Sequence, residues 1–240
     1  MRKFAHGALA IGLATALAGC GGESKTQNTS NTAQSSTLPV PSTSTGLDTA
    51  NHKLLAAAEP FENLTESSFS AGSDELSQLI ATARSSAKHV MSQLPPAAAQ
   101  DLQVRLDEIG KAQNADKRAD VALAAVEGYR TLVSNVQGRT IVPQQVSLLD
   151  YAGFRIQADL KASPARWTDI ASALGFAKQR WGEISDQVHT KKVAADMQTA
   201  LSDMTSAVSS QDSKMLQQAS TRELDLVDEL ENYFTKSAAS

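Results

Sequence analysis

The chain has 240 residues, of which 22 are Lys or Arg and 26 are Asp or Glu, and its formal net charge is −4 at pH 7. Nucleic-acid binding depends on clustered basic side chains, so this mildly acidic composition predicts no nucleic-acid partner. It also argues against a polybasic attraction to anionic lipid. Cys20 is the single cysteine, so no disulfide can form within the chain and the fold must depend on its hydrophobic core.

The first 20 residues have the layout of a secretory signal peptide. Arg2 and Lys3 precede an apolar run from about residue 8 to residue 17, and small residues then lead into Cys20. The run of about ten residues is too short to cross a bilayer as a helix, which takes about 20 residues. We therefore predict that this segment directs export and is then removed.

The sequence Leu-Ala-Gly-Cys at residues 17–20 resembles the lipobox of bacterial lipoproteins. That resemblance implies cleavage before Cys20, so that residues 1–19 are the signal peptide, and acylation of the Cys20 thiol and of the new amino terminus. Two or more acyl chains make membrane anchoring stable. Gly21 stands where an aspartate would resemble the inner-membrane retention signal, so the resemblance implies an outer-membrane protein that faces the periplasm.

Residues 20–51 form the predicted tether between the acylated cysteine and the folded domain. They are almost wholly Gly, Ser, Thr, Asn, Gln, Ala and Pro, and such a segment buries too little apolar surface to offset its ordering entropy. The helical domain is predicted to span residues 52–240, with its core from about residue 73. Within residues 52–72 we expect a short helix and loop that dock on the domain, interrupted by Pro60 and Gly72.

From Ser73 onward, apolar residues recur with the 3.6-residue period of amphipathic helices. Pro95, Gly138, Pro143 and Asp212 mark boundaries between these helices. The helix after Pro143 is predicted to be central, because its apolar residues cover several of its sides. The sequence thus predicts an all-α fold, an antiparallel helical bundle of about six to seven helices, with an open stack of helix pairs as the alternative.

The chain lacks the motifs that usually carry catalysis or metal binding. None of His52, His89 and His189 is followed three or four residues later by a carboxylate or a second histidine. The sequence also contains neither a nucleophile elbow nor a glycine-rich phosphate loop. We therefore expect no enzyme activity, no cofactor and no metal site.

Tyr151, Arg155 and Asp159 form the most distinctive polar group. Their spacing of four residues places them on one side of a mostly apolar helix. A buried Arg155 must be paired, and the group then either lines a pocket for an anion or small polar ligand or forms a structural ion pair. Glu223 falls on the apolar stripe of the last helix, where it is predicted either to meet Arg155 or to reach solvent at the edge of the stripe.

These features predict a membrane-anchored, non-catalytic binding or assembly module of the cell envelope, with an envelope protein as its partner. The chain offers a lipid anchor, a long reach and a rigid helical surface. The alternative is a small-ligand or metal carrier with a pocket in the helical bundle around Tyr151, Arg155, Asp159 and Glu223. An exposed apolar patch would favour the first function, and a concavity with convergent polar groups would favour the second.

Overall fold

The computed structural model of the chain describes residues 43–238, and the side chains of residues 48–238. In this range the chain forms eight α-helices and no β-strand. The helices are α1 (Thr43–Ser67), α2 (Ser73–Val90), α3 (Pro96–Asn114), α4 (Arg118–Val133), α5 (Gln144–Lys161), α6 (Trp167–Ile184), α7 (Lys191–Ser210) and α8 (Ser213–Ala238). The prediction of an all-α helical bundle is confirmed. Seven of these helices correspond to those predicted from Ser73 onward, and α1 precedes them.

Helices α4 and α5 form the centre of the bundle. Helix α4 packs against α1, α3 and α5, and helix α5 packs against α4, α6 and α8. Helix α2 packs on α1, and α7 packs on α6 and α8. The two central helices are 16 and 18 residues long, and each of them buries 11 residues. The prediction that the helix after Pro143 is central is therefore confirmed.

Two glycines let the central pair approach its neighbours closely. A Cβ atom at Gly128 would lie 2.5 Å from Cε1 of Phe61 in α1, and one at Gly153 would lie 2.6 Å from Cδ2 of Leu224 in α8. Real Cβ atoms essentially never approach another heavy atom within 3.0 Å. Because close-packed interiors leave no spare volume, a larger residue at either position would push the helices apart.

Helix α1 differs from the prediction for this part of the chain. It is continuous from Thr43 to Ser67 and passes through Pro60, where the sequence predicts an interruption. A proline inside a helix removes a hydrogen-bond donor and typically costs about 3 kcal/mol. Buried apolar side chains before and after Pro60, among them Leu54, Phe61 and Leu64, hold the helix against the domain and offset that cost.

The boundary between the predicted tether and the domain also moves. Residues 43–51, predicted as the end of the tether of residues 20–51, belong to α1. Asn51 is buried there: its Nδ2 donates to the Gln137 carbonyl at 2.6 Å, and its Oδ1 accepts from the Gln137 N–H at 2.9 Å. These bonds tie α1 to the loop after α4. The predictions for residues 1–42, including the signal peptide, Cys20 and Gly21, lie outside the described residues.

The surface of residues 48–238 exposes few large apolar side chains. They are Leu55 on α1, Val104 on α3 and Ile141 in the loop before α5. The described surface therefore carries scattered apolar residues on three separate elements. None of the helices in the described part of the chain is both long and apolar enough to cross a membrane.

Candidate functional site

Three of the four side chains predicted as a polar cluster lie together on α5. Arg155 Nε donates a hydrogen bond to Asp159 Oδ2 at 2.7 Å, and Arg155 Nη1 pairs with Oε1 of Glu127 on α4. The Tyr151 hydroxyl donates to the same Glu127 oxygen at 2.7 Å. We call these four residues, Glu127, Tyr151, Arg155 and Asp159, the Arg155 network.

Glu127 is a member of this network that the sequence analysis missed. Glu127 and Arg130 are the only charged residues between positions 121 and 133, a stretch that is otherwise largely buried. A single carboxylate in a buried helix is a usable signal, because buried charges are paired. The sequence does not show which helix supplies the partner, so the bond between Glu127 and Arg155 requires the tertiary structure.

Arg130 extends the Arg155 network to the surface. Its Nη1 lies 3.7 Å from Glu127 Oε2 and 3.4 Å from the Tyr151 hydroxyl oxygen. Its guanidinium carbon lies 5.2 Å from the centre of the Tyr151 ring and 5.4 Å from that of the Phe176 ring, within the range of cation–π attraction. The Arg130 side chain is 45% exposed, against 20% for Arg155, so solvent or a ligand reaches Arg130 more easily than Arg155.

Glu223 lies elsewhere. It is fully buried on α8, so the prediction that it reaches solvent is wrong. Its carboxylate packs against Gly153 of α5. Gly153 and Arg155 are two positions apart on a helix, which directs them about 200° apart, so Glu223 belongs to the α8 side of α5. The absence of a side chain at Gly153 leaves room for the Glu223 carboxylate at this contact.

Burial and pairing set the protonation states of the Arg155 network. Burial raises the pKa of the Tyr151 hydroxyl to about 12. The negative charge of Glu127 adds to this rise, and the positive charges of Arg130 and Arg155 oppose it. Burial lowers the pKa of Arg155, but its bonds to Asp159 and Glu127 outweigh that effect and raise it overall. Burial also raises the pKa of the Asp159 carboxyl, and Arg155 offsets only part of the rise. At neutral pH the Tyr151 phenol is protonated and the guanidinium is charged.

Two cavities flank the Arg155 network and share the lining residues Arg105, Glu127 and Arg155. The first cavity has a volume of about 430 Å³ and reaches the beginnings of α4 and α6. Its further charged lining residues are Glu108, Lys111, Lys117, Asp120 and Arg166. The second cavity has a volume of about 450 Å³, and its further lining residues include Arg130, Tyr151, Asp169 and Phe176. We call the two cavities together the groove; it runs between α3, α4, α5 and α6.

A second buried tyrosine has different electrostatic surroundings. Tyr129 of α4 is buried, and its hydroxyl oxygen lies 3.4 Å from Asp150 Oδ2. Burial and the charges of Asp150, Glu62 and Glu231 raise its pKa well above the usual value. The adjoining cavity of about 270 Å³ is lined by acidic residues, and none of its described lining residues is Lys or Arg. The central helix pair therefore has one side lined by both basic and acidic residues and one side whose charged lining residues are all acidic.

Comparison with known proteins assigns no role to this site, so its role is argued from the chemistry of its own residues. No family model, curated protein or solved structure matches this chain. Among the described residues, no group of three or more His, Cys, Asp or Glu side chains could hold a metal ion. What the groove offers a ligand is a set of guanidinium and ammonium donors beside two aromatic rings, which suits carboxylate or phosphate groups.

Proposed function

We propose that this protein is a lipid-anchored, non-catalytic binding module of the bacterial cell envelope. In this proposal the acylated Cys20 holds the protein at the outer membrane, and the domain faces the periplasm and binds an envelope component through the groove. The inner membrane is the alternative location. The observation that carries the binding role is the groove, whose lining includes four arginines that are each paired with a carboxylate, Arg105, Arg130, Arg155 and Arg166.

The protonation states in the groove favour binding over acid–base catalysis. A general acid or base works best when its pKa lies near the operating pH. The pKa of Tyr151 is about 12, and that of Arg155 is raised above its already high ordinary value. Neither group therefore exchanges its proton readily at neutral pH. This argues against Tyr151 and Arg155 as acid–base catalysts and favours a binding role for these two side chains.

A second candidate function is that of a small-ligand carrier, and the polar character of the groove favours it. Surfaces that dock proteins often present a contiguous apolar patch, whereas Leu55, Val104 and Ile141 lie on three separate elements. Small-ligand sites are concave and contain a few convergent polar groups. A carrier would hold its ligand in the second cavity, near Tyr151 and Arg130.

The lipid anchor is tested with the variant Cys20→Ser. We expect this variant to remain an unprocessed precursor without lipid, because the thiol that would be acylated is absent. Metabolic labelling with palmitate and fractionation of the membranes measure both properties. The control Ser24→Ala, outside the lipobox, should be labelled and processed as the unaltered chain is. Normal labelling of Cys20→Ser would show that the protein is not anchored through this residue.

Binding through the groove is tested by native mass spectrometry of the full-length protein, extracted in detergent without chelators. A carrier keeps a reproducible extra mass, and an envelope module keeps a protein partner. Arg130→Ala should lose the bound species, because Arg130 is the exposed donor of the second cavity. Arg139→Ala, which removes an exposed arginine from the loop before α5, should keep it. A bound species that survives both substitutions would place the binding surface outside the second cavity.

A further inference from the structure

We propose that the first cavity binds a phosphate-type anion through Lys111, Lys117 and Arg166. This inference rests on the proposed role of the groove as a binding surface, and it adds the chemical class of the ligand. The ligand is either inorganic phosphate or the phosphate monoester of a larger molecule, since both present the same doubly charged group of oxygens.

The first cavity concentrates basic side chains on a chain whose net charge is negative. Five of its lining residues are Lys or Arg, and three are Asp or Glu. Each of the three carboxylates is already engaged by an arginine. The pairs are Arg105 with Glu108, Arg155 with Glu127, and Arg166 with Asp120. The acidic lining residues therefore neutralise the arginines, and none of them pairs with a lysine of this cavity.

The lysines of the first cavity carry its excess positive charge. Lys111 and Lys117 are exposed and form no ion pair with a described residue. Arg105 and Arg155 each have a second carboxylate partner, in Asp101 and Asp159. Among the described carboxylates Arg166 pairs with Asp120 alone, at 2.7 Å, and its side chain is 41% exposed. An entering anion would therefore contact the two lysines and the exposed part of Arg166, while Arg105 and Arg155 stay paired with their carboxylates.

The first cavity reaches the beginnings of two helices, where two of its basic side chains stand. Lys117 is the N-cap residue of α4 and Arg166 is that of α6, and neither makes a side-chain capping hydrogen bond. A basic side chain cannot accept a hydrogen bond, and it adds positive charge to the positive end of the helix dipole. The N-cap residues of α2, α3, α5 and α7 also make no side-chain capping hydrogen bond, but none of them is basic.

A bound anion would offset the positive charge that Lys117 and Arg166 add at these two helix beginnings. The carboxylates in the first turns are Asp120 in α4 and Asp169 in α6. Asp120 Oδ1 already accepts a hydrogen bond from Arg166 Nη2. Phosphate oxygens accept charge-assisted hydrogen bonds from Lys and Arg side chains. A cavity of about 430 Å³ is also large enough for a phosphate group that is part of a larger molecule.

The test is isothermal titration calorimetry of the full-length protein in detergent, with inorganic phosphate in one arm and glycerol 3-phosphate in the other. Chloride at matched ionic strength controls for screening. The test variant carries Lys111→Gln and Lys117→Gln together, which should not disturb the fold because both lysines are exposed and neither is paired with a described residue. Lys214→Gln, an exposed lysine at the start of α8, is the control for loss of positive charge.

We expect saturable binding of phosphate that the double variant weakens by roughly tenfold or more and that Lys214→Gln leaves unchanged. Tighter binding of glycerol 3-phosphate would identify an ester as the ligand, and equal or weaker binding would identify the inorganic ion. An unchanged affinity in the double variant, or no saturable binding in either arm, would overturn the inference. If Arg130→Ala still removes a bound species in native mass spectrometry, the groove remains the binding surface and only the phosphate assignment fails.

Discussion

The two sides of the central helix pair α4–α5 are built in different ways. On the side of α1 and α8, glycines of the central helices lie directly against Phe61 and Leu224. On the side of α3 and α6, charged side chains meet across the groove, and Glu127 and Arg155 keep 15% and 20% of their side chains exposed. The same two helices are thus positioned by close packing on one side and by ion pairs on the other.

This difference determines what each side tolerates. A close-packed contact has no room for an additional methyl group, and overpacking typically costs about 1 to 3 kcal/mol. Ion pairs that water can reach contribute less, because water hydrates the charges when a pair is broken. A ligand can therefore compete for side chains on the groove side without disturbing the packing that holds the bundle together.

The largest expected effect is on the packed side. Gly128→Ala should lower the free energy of unfolding by about 1 to 3 kcal/mol, because the new methyl group would collide with the fully buried Phe61 ring. Gly175→Ala is the control: it lies inside α6 with open space around it, so it should raise stability by up to about 1 kcal/mol through helix propensity alone. Urea unfolding followed by circular dichroism measures both. If the two substitutions change the free energy of unfolding equally, close packing at Gly128 does not position the central helices.

A smaller effect is expected on the charged side. Glu127→Gln should lower the free energy of unfolding by about 1 to 2 kcal/mol, because Arg155 keeps Asp159 but loses its second carboxylate. Glu183→Gln is the control, since Glu183 pairs with Arg180 at 2.7 Å within α6 and is 34% exposed. It should change the free energy by less than about 0.5 kcal/mol. If the two variants have equal stability, the Arg155 network contributes no more than a surface pair.

The smallest expected effect on stability comes from the titration of Tyr151. This titration also reports most directly on the groove. We expect its pKa at about 12, and expect Glu127→Gln to lower it and Arg130→Ala to raise it, since Glu127 opposes ionisation and Arg130 favours it. Ultraviolet difference spectra against Tyr151→Phe separate this titration from that of Tyr129.

The same titration has a defined consequence for stability. The pKa of Tyr151 is higher in the folded chain than the ordinary value of 10.0, so the folded state holds the proton more tightly. The resulting stabilisation is complete below about pH 10 and is lost as the pH rises toward about 12. Titration of Tyr151 at its ordinary pKa would show that its hydroxyl is neither buried nor held by Glu127.

The sequence by itself determined the local features of this protein. Seven helices follow from the 3.6-residue period beyond Ser73, because that period depends only on residues a few positions apart. The central place of α5 follows from apolar residues on several of its sides. The common side of Tyr151, Arg155 and Asp159 follows from their four-residue spacing, which is a property of any helix.

Only the tertiary structure decided which of these local surfaces meet. The bond between Arg155 and Glu127 joins two helices, and the burial of Glu223 depends on the space that Gly153 leaves on another helix. The continuity of α1 through Pro60 likewise depends on its packing against the domain. Periodicity reports the apolar face of each helix, but the partner of that face is set by the packing free energy of the whole bundle, which no short stretch of sequence contains.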